Sequence, residues 1–507
     1  MHFTVAEQVE AAARAFPDRI AVEIVGGDAF TYGQLIDRME RLAAALGAVP
    51  PGRNGPMVAV LLSNGADSLL SFLACQLRGV AAVPINTRLA PAEIGYILKD
   101  SDAAVLLSGS DQLERARLVA AEYGLRLIDC DQVSASAPAL PKQERARPNG
   151  NDTAVVFYTS GTTGFPKGAA ITHQCWAERL MWWGWEFDVA SSDVMLVPGP
   201  TFHMSFSSLC LCAFYRGARV RIVERFDVPA SFEELRDTCS WSFLIPTMTV
   251  MLLELWRAGG RKPLPAARIL LSSGAALSPS TLEDMMQAFP NARIYEAYGW
   301  TEGGWVTSEI KRCETIVPHS VGWPAFGCEV VVLDDDGKVC PPGTVGEVAA
   351  RTPVHFSHYL NNPEATRKAW ASDYQKSGDI GVFLEDGRLK LLDRRNDMIV
   401  TGGENVYSSE VERVLNDHPS VAECVVVGQP DSRWGNAVVG VVVARPGARI
   451  DEDALREHCR AQIAAYKCPK RFVIVDALPR NSMGKIEKFR VRADVVAAVT
   501  ADMRQSG

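Results

Sequence analysis

The feature that most constrains this chain is an alternation, early in the sequence, of short apolar runs with leucines at helical spacing. Residues 58–63 (Val-Ala-Val-Leu-Leu-Ser) form an unbroken apolar run of strand length. Leu69, Leu70, Leu73 and Leu77 then repeat at helical spacing, and residues 80–85, 103–108 and 125–130 continue the strand series. Alternating strands and helices of this kind imply a parallel sheet covered by helices. A polar, proline-bearing stretch at 141–152 separates it from a further strand at 154–161. From about residue 320 the pattern changes to short strands punctuated by Gly, Pro and Asp, at 330–339, 341–350 and 386–393, which reads as a small antiparallel sheet or barrel. Near residue 396 a separate module begins: a helix over 408–415, strands at 421–428 and 437–447, a helix over 451–465 and a strand at 471–475. The fold class is therefore α/β, with a large N-terminal domain of parallel-sheet subdomains plus a small barrel-like part, and a small α+β C-terminal domain.

At 507 residues the chain is too long for one core. Its 52 basic against 60 acidic residues, a net charge of −8, argue against general binding to nucleic acid or anionic membranes. The first residues lack a basic-then-apolar leader pattern, and Arg78 interrupts the most apolar stretch, so no membrane span and a cytoplasmic location are expected. The twelve cysteines include no C-x-x-C pair, which points to buried reduced thiols instead of a metal site or disulfide framework.

The strongest chemical signal runs from Tyr158 to Gly168: Tyr-Thr-Ser-Gly-Thr-Thr-Gly-Phe-Pro-Lys-Gly. Gly161 and Gly164 allow a tight turn that aims N–H groups at phosphate, and the hydroxyls of Thr159, Ser160, Thr162 and Thr163 add donors. Lys167 adds a charge. The loop follows a strand, where ligands of parallel sheets bind. It is not a Walker loop, since no GxxxxGK[ST] is present. A plain surface loop of the same composition is the bland alternative.

This string resembles the signature of the adenylate-forming superfamily: acyl-CoA synthetases, firefly luciferase and the adenylation domains of peptide synthetases. The superfamily's other motifs follow in order: Phe202-His203; Ser273, Gly274 and Ala275; Tyr298-Gly299-Trp300-Thr301-Glu302; Ser377-Gly-Asp379; Leu392-Asp-Arg394; Gly402-Gly403-Glu-Asn405; and 479–485, ending in Lys485. The resemblance covers essentially the whole chain and is strongest for acyl-CoA and aryl-CoA ligases.

The resemblance implies an AMP-forming acid–thiol ligase that uses ATP, Mg²⁺ and coenzyme A on a small carboxylic acid. Glu302 would be the metal ligand and Thr301 an α-phosphate contact. Tyr298 would stack on adenine, with Ser273, Gly274 and Ala275 on its other side and Glu296, Ala297 and Gly299 along the nucleotide. Asp379 and Arg394 would hold the ribose, and Lys485 would bond the substrate carboxylate and the α-phosphate. His203 would position the acid; a carboxylate is already ionised at neutral pH and needs no base. Gly402, Gly403, Trp434 and Tyr466 would meet coenzyme A. Without the resemblance each of these would read as a solvated charge or a core residue.

Family position also assigns an acyl pocket, to 179–185, 202–212, 246–249 and 297–306, including Trp182, His203, Met204, Ser205, Trp300 and Trp305. Only Arg179, at one edge, is basic, so an apolar monocarboxylate is expected, aromatic or of short to medium length. The chain departs from the pattern at Ser377 (usually Thr), Asp393 (commonly Gly), Cys468 (basic in one aryl-CoA ligase branch) and the hinge, Asn396, usually Asp or Lys. Domains are expected at 1–394 and 395–507, the second mobile about Asn396. The oligomeric state is open between monomer and homodimer. Two rivals are a stand-alone enzyme loading a carrier protein's phosphopantetheine and a non-catalytic ATP-binding member; the latter would be expected to have lost Glu302, Lys485 or the hydroxyl loop.

Overall fold

The computed structural model describes residues 3–133, 137–159, 166–394, 397, 399–401, 404–406, 408–431, 435–463, 465–480, 486–488, 490–493 and 495. The chain forms two compact units, one of residues 1–330 and 349–377, the other of residues 331–348 and 378–507.

The first unit holds two large sheets. In one, the strands run in the order His358–Tyr359, Lys167–Thr172, Thr153–Thr159, Ala81–Pro84, Gly55–Leu61, Val105–Ser108 and Arg126–Asp129. The early strands are parallel to one another and to Thr153–Thr159, as the alternation predicts. Gly55–Leu61 shows why its sequence is continuously apolar. Val58 and Val60 enter the core on one face, and Met57, Ala59 and Leu61 enter a second core on the other. Thr153–Thr159 then turns back on Lys167–Thr172 as an antiparallel hairpin, with Thr159 opposite Lys167.

The second sheet has nine strands, with Ile20–Ile24, Arg219–Ile222, Val194–Val197, Trp241–Leu244, Ile269–Ser272 and Arg293–Trp300 parallel at its centre. Gly304–Ile310 folds back antiparallel on Arg293–Trp300. The helix His173–Glu186 starts where the Thr172 hydroxyl accepts the Cys175 N–H at 3.2 Å, and it buries Cys175, Trp176, Arg179, Leu180 and Trp183. Glu329–Leu333, Gly346–Arg351, Trp370–Ala371, Tyr374–Phe383 and Leu389–Arg394 are the strands of one five-stranded sheet.

In the second unit, Val421–Asp431 pairs antiparallel with Gly435–Ala444, which pairs parallel with Arg471–Ile474. One face of this sheet packs Cys424, Val426 and Val438 on the helices Ser408–Asn416 and Glu452–Gln462. The other packs Val425, Val427 and Val439 on Leu478, Val491 and Val495. Nine of the twelve cysteines are buried and all are free. Among the described residues no helix is long and apolar enough to cross a membrane.

Candidate functional site

Three segments distant in sequence converge on Glu302. Its side chain is 8% exposed, at the tight turn between Arg293–Trp300 and Gly304–Ile310. Oε1 accepts from the Tyr359 hydroxyl at 2.6 Å and from Thr159 Oγ1 at 3.3 Å. Lys167 Nζ lies 4.8 Å from the centre of the Tyr359 ring. Burial pushes the Tyr359 phenol up, and the neighbouring Glu302 charge pushes it the same way, so it stays a donor. The Thr159 hydroxyl, the Glu302 carboxylate and Lys167 thus meet, with Thr159 and Lys167 opposite each other in the hairpin register. Sequence reasoning missed Tyr359, because nothing in its local pattern ties it to a carboxylate 57 positions away.

The backbone of this turn is held from beneath. Arg179 is fully buried, and its guanidinium donates to the carbonyls of Thr301 at 3.0 Å, Glu302 at 3.3 Å and Val354 at 2.5 and 3.2 Å. Its remaining donor points at Met204 Sδ, 2.9 Å away. Burial pulls the guanidinium below its ordinary pKa, while Cys175 and Glu302 oppose the shift. Arg179, expected at one edge of the acyl pocket, is fully buried and bonds Met204, another residue assigned to that pocket. The Phe356 N–H donates to the Glu302 carbonyl at 2.6 Å, a second tie to the segment that carries Tyr359.

Beside the turn lies an aromatic cluster. Trp305 packs on Trp183 with ring centres 4.1 Å apart, and Phe187 and Phe243 meet it edge-on. Its indole N–H donates to Ser273 Oγ at 2.9 Å, joining the 273–275 loop to the pocket stretch. Trp182, one residue along the helix, is only half-buried, so Trp183 and not Trp182 makes this contact. Tyr298 and Trp300 lie 5.8 Å apart, and the Trp300 indole covers Gly303, where a Cβ would come within 2.6 Å. Gly274 has φ +95°, a conformation that favours glycine. Ala297 is buried, and Gly299 is so close to Gly304 that a Cβ would strike its carbonyl.

Glu296 is engaged structurally. It accepts the Leu277 N–H at 3.1 Å and faces Lys311 Nζ at 3.1 Å; Lys311 also bonds Glu309 at 2.6 Å and the Ser320 carbonyl at 2.8 Å. Burial raises the Glu296 carboxyl, and Lys311 counteracts it.

His203 stands at the N-terminal boundary of Met204–Arg216, half-buried, with half-buried Ser205 beyond it. The preceding Thr201 is held by Asn64 through its N–H at 2.9 Å and its hydroxyl at 3.1 Å.

In the second unit Asp379 is half-buried and sits opposite Arg394 in the strand register, after Gly378 with φ +78°. Tyr466 is 39% exposed. Lys467 is paired with Glu410 at 2.7 Å, and Cys468 is buried in the helix-side core. Cys468, in the slot that is basic in one aryl-CoA ligase branch, thus packs the core. Ser160, Gly161, Thr162, Thr163, Gly164, Asn396, Gly402, Gly403, Trp434 and Lys485 lie outside the described residues, as does the side chain of Arg394.

The donor set at Glu302 suits a hard divalent cation. It is a buried carboxylate with one oxygen oriented by two hydroxyls, of the kind that binds Mg²⁺ together with substrate phosphates.

The family model for AMP-binding enzymes matches residues 9–360, and that for their C-terminal domain matches residues 410–485. The chain belongs to the AMP-binding enzyme family. This AMP-binding enzyme is 34% identical over 489 residues to a feruloyl-CoA synthase of Amycolatopsis sp., covering 95% of this chain and 96% of that one. It is 33% identical over 482 residues to the 2-succinylbenzoate–CoA ligase of Bacillus licheniformis, covering 94% and 97%. Its fold matches o-succinylbenzoate CoA synthetase from Bacillus subtilis, solved with its acyl-adenylate intermediate, with a TM-score of 0.86, 29% identity and coverage of 97% and 98%. The AMP-binding enzyme is an AMP-forming acid–CoA ligase.

Proposed function

We propose that this ligase activates an apolar monocarboxylic acid as its acyl-adenylate and transfers the acyl group to coenzyme A. The observation that carries the reading is the buried Glu302 carboxylate, held by Tyr359 and by Thr159, the first hydroxyl of the Thr-Ser-Gly string. In the first half-reaction a carboxylate oxygen attacks the α-phosphorus of ATP and pyrophosphate leaves. Thr159, Lys167 and the 160–164 loop hold the leaving phosphates, Thr301 and Lys485 meet the α-phosphate, and His203 orients the acid. Mg²⁺ held by Glu302 would neutralise phosphate charge. Tyr298 and the 273–275 loop flank adenine, with the 296–299 backbone beside it, and Asp379 and Arg394 take the ribose. In the second half-reaction the thiol attacks the acyl carbon and AMP leaves. A swing of residues 395–507 about Asn396 withdraws Lys485 and presents Gly402, Gly403, Trp434 and Tyr466 to the coenzyme.

Two observations support the apolar monocarboxylate. The aromatic cluster of Trp183, Phe187, Phe243 and Trp305 adjoins the turn, and Trp182, Met204, Ser205 and Trp300 complete the assigned pocket. Every donor of Arg179 is already occupied, so it offers nothing to a second carboxylate.

The test is pyrophosphate release across a panel of carboxylic acids, with coenzyme A, with a pantetheinylated carrier protein, or with neither. Release that needs an apolar monocarboxylate, and a thioester only with coenzyme A, is expected. Thioester only on the carrier would favour carrier loading, and no acid-dependent release would overturn the reading.

A further inference from the structure

Arg179 is a buried cation in an unusual setting. All five of its N–H donors are used, and the acceptors are three main-chain carbonyls, the Met204 thioether and, at 4.0 Å, the Cys175 sulfur. The Glu302 carboxylate acts on it through space, but the hydrogen bond Arg179 makes there is to the Glu302 main-chain carbonyl. Burying a guanidinium on neutral acceptors is costly, and a helix needing only a packed face would place an apolar residue there. What the guanidinium does uniquely is join segments. Thr301 and Glu302 belong to the metal-side turn, Val354 leads to Phe356 and Tyr359, and Met204 adjoins His203. Its planar fork fixes these acceptors relative to one another, which a lysine ammonium would not reproduce. Gly304, at φ +75°, lets the fork lie flat on the turn; a Cβ there would be 3.3 Å from Arg179 Nε.

We propose that Arg179 is a positioning residue for the metal end of the site. It holds the Thr301 and Glu302 carbonyls so that the Glu302 carboxylate meets Tyr359 and Thr159 in the geometry a phosphate-bound cation requires. The inference rests on the proposed role of Glu302 as the metal ligand, and it concerns no group that touches substrate.

The test uses the full chain with Arg179→Lys and Arg179→Met, and Glu302→Gln as reference. Manganese binding is followed by electron paramagnetic resonance with a non-hydrolysable ATP analogue, alongside the Mg²⁺ concentration for half-maximal adenylation. Supporting residues around metal ligands set affinity by about 10–100-fold, and a loss of that size is expected in both variants. The KM for the acid should change much less, and thioester formation from supplied acyl-adenylate should be retained. A lower melting temperature with wild-type manganese affinity would make Arg179 merely structural and overturn the proposal. Should Arg179→Met fail to fold, Arg179→Lys, which keeps the charge and loses the fork, decides alone. Wild-type manganese affinity in Glu302→Gln would instead sink the reading of Glu302.

Discussion

The Tyr359 hydroxyl donates to Glu302 Oε1 at 2.6 Å, joining the end of the first family segment to the turn after Trp300. This bond and the one from Thr159 both fall on Oε1. Tyr359→Phe keeps the ring over Lys167 and removes only the donor. The Mg²⁺ requirement for adenylation should rise about tenfold, with the KM for the acid little changed. A Mg²⁺ titration of pyrophosphate release measures both; an unchanged requirement would detach Tyr359 from the metal end.

Lys311 is 1% exposed at its side chain and stands between Glu296 and Glu309. Lys311→Met leaves two buried carboxylates without their cation. Removing one partner of a buried ion pair costs about 3–5 kcal/mol, and urea denaturation of the variant should show a loss of that order. Because Glu296 also holds the Leu277 N–H beside the 273–275 loop, the KM for ATP should rise in any folded fraction. A loss under about 1 kcal/mol would mean that the pair contributes no more than a surface ion pair.

The buried thiols give the fold an alkaline limit. Burial pushes Cys75, Cys210 and Cys239 well above the ordinary 9.0, Cys212 up to about 12 and Cys459 up to about 11. Below pH 9 both folded and unfolded chains hold these protons. Above it the unfolded thiols ionise while the native ones do not, so the unfolded state binds fewer protons and stability falls as pH rises. Each thiol contributes a slope of about 1.4 kcal/mol per pH unit in that window. Under reducing conditions the urea midpoint, read by tryptophan fluorescence, should drop clearly between pH 8 and 10. A midpoint unchanged across that range would contradict this.

Lys485→Ala separates the two half-reactions. Acyl-adenylate formation should fall by about 10²–10³, the usual cost of one preorganised charge, while thioester formation from supplied adenylate stays near wild type. Stopped assays of each half-reaction give the comparison. Equal loss in both would remove the case for a swing about Asn396.

Much of this fold is legible locally. The apolar runs at 58–63 and 103–108 are strands because each face of their sheet meets its own core, so no polar alternation survives. The family is legible in the hydroxyl-rich string and the motifs that follow it, and the family models match residues 9–360 and 410–485. What sequence alone conceals is partnership at a distance. Tyr359 carries no mark of its bond to Glu302, and Glu296 carries none of its pairing with Lys311. Arg179 did carry a signal: Cys175, Trp176, Leu180 and Trp183 surround it at helical spacing, which puts it on a buried face. The same helical phase turns Trp183, not Trp182, onto Trp305.

The proposed function turns on one step, attack of a carboxylate oxygen of the acid on the α-phosphorus of ATP. Turnover of an accepted acid labelled with ¹⁸O in both carboxyl oxygens, with coenzyme A and unlabelled ATP, tests it directly by mass spectrometry of the nucleotide product. Attack through the carboxylate, followed by cleavage of the acyl–oxygen bond, leaves one ¹⁸O in AMP and none in pyrophosphate. Unlabelled AMP, or ADP as the product, would contradict the account.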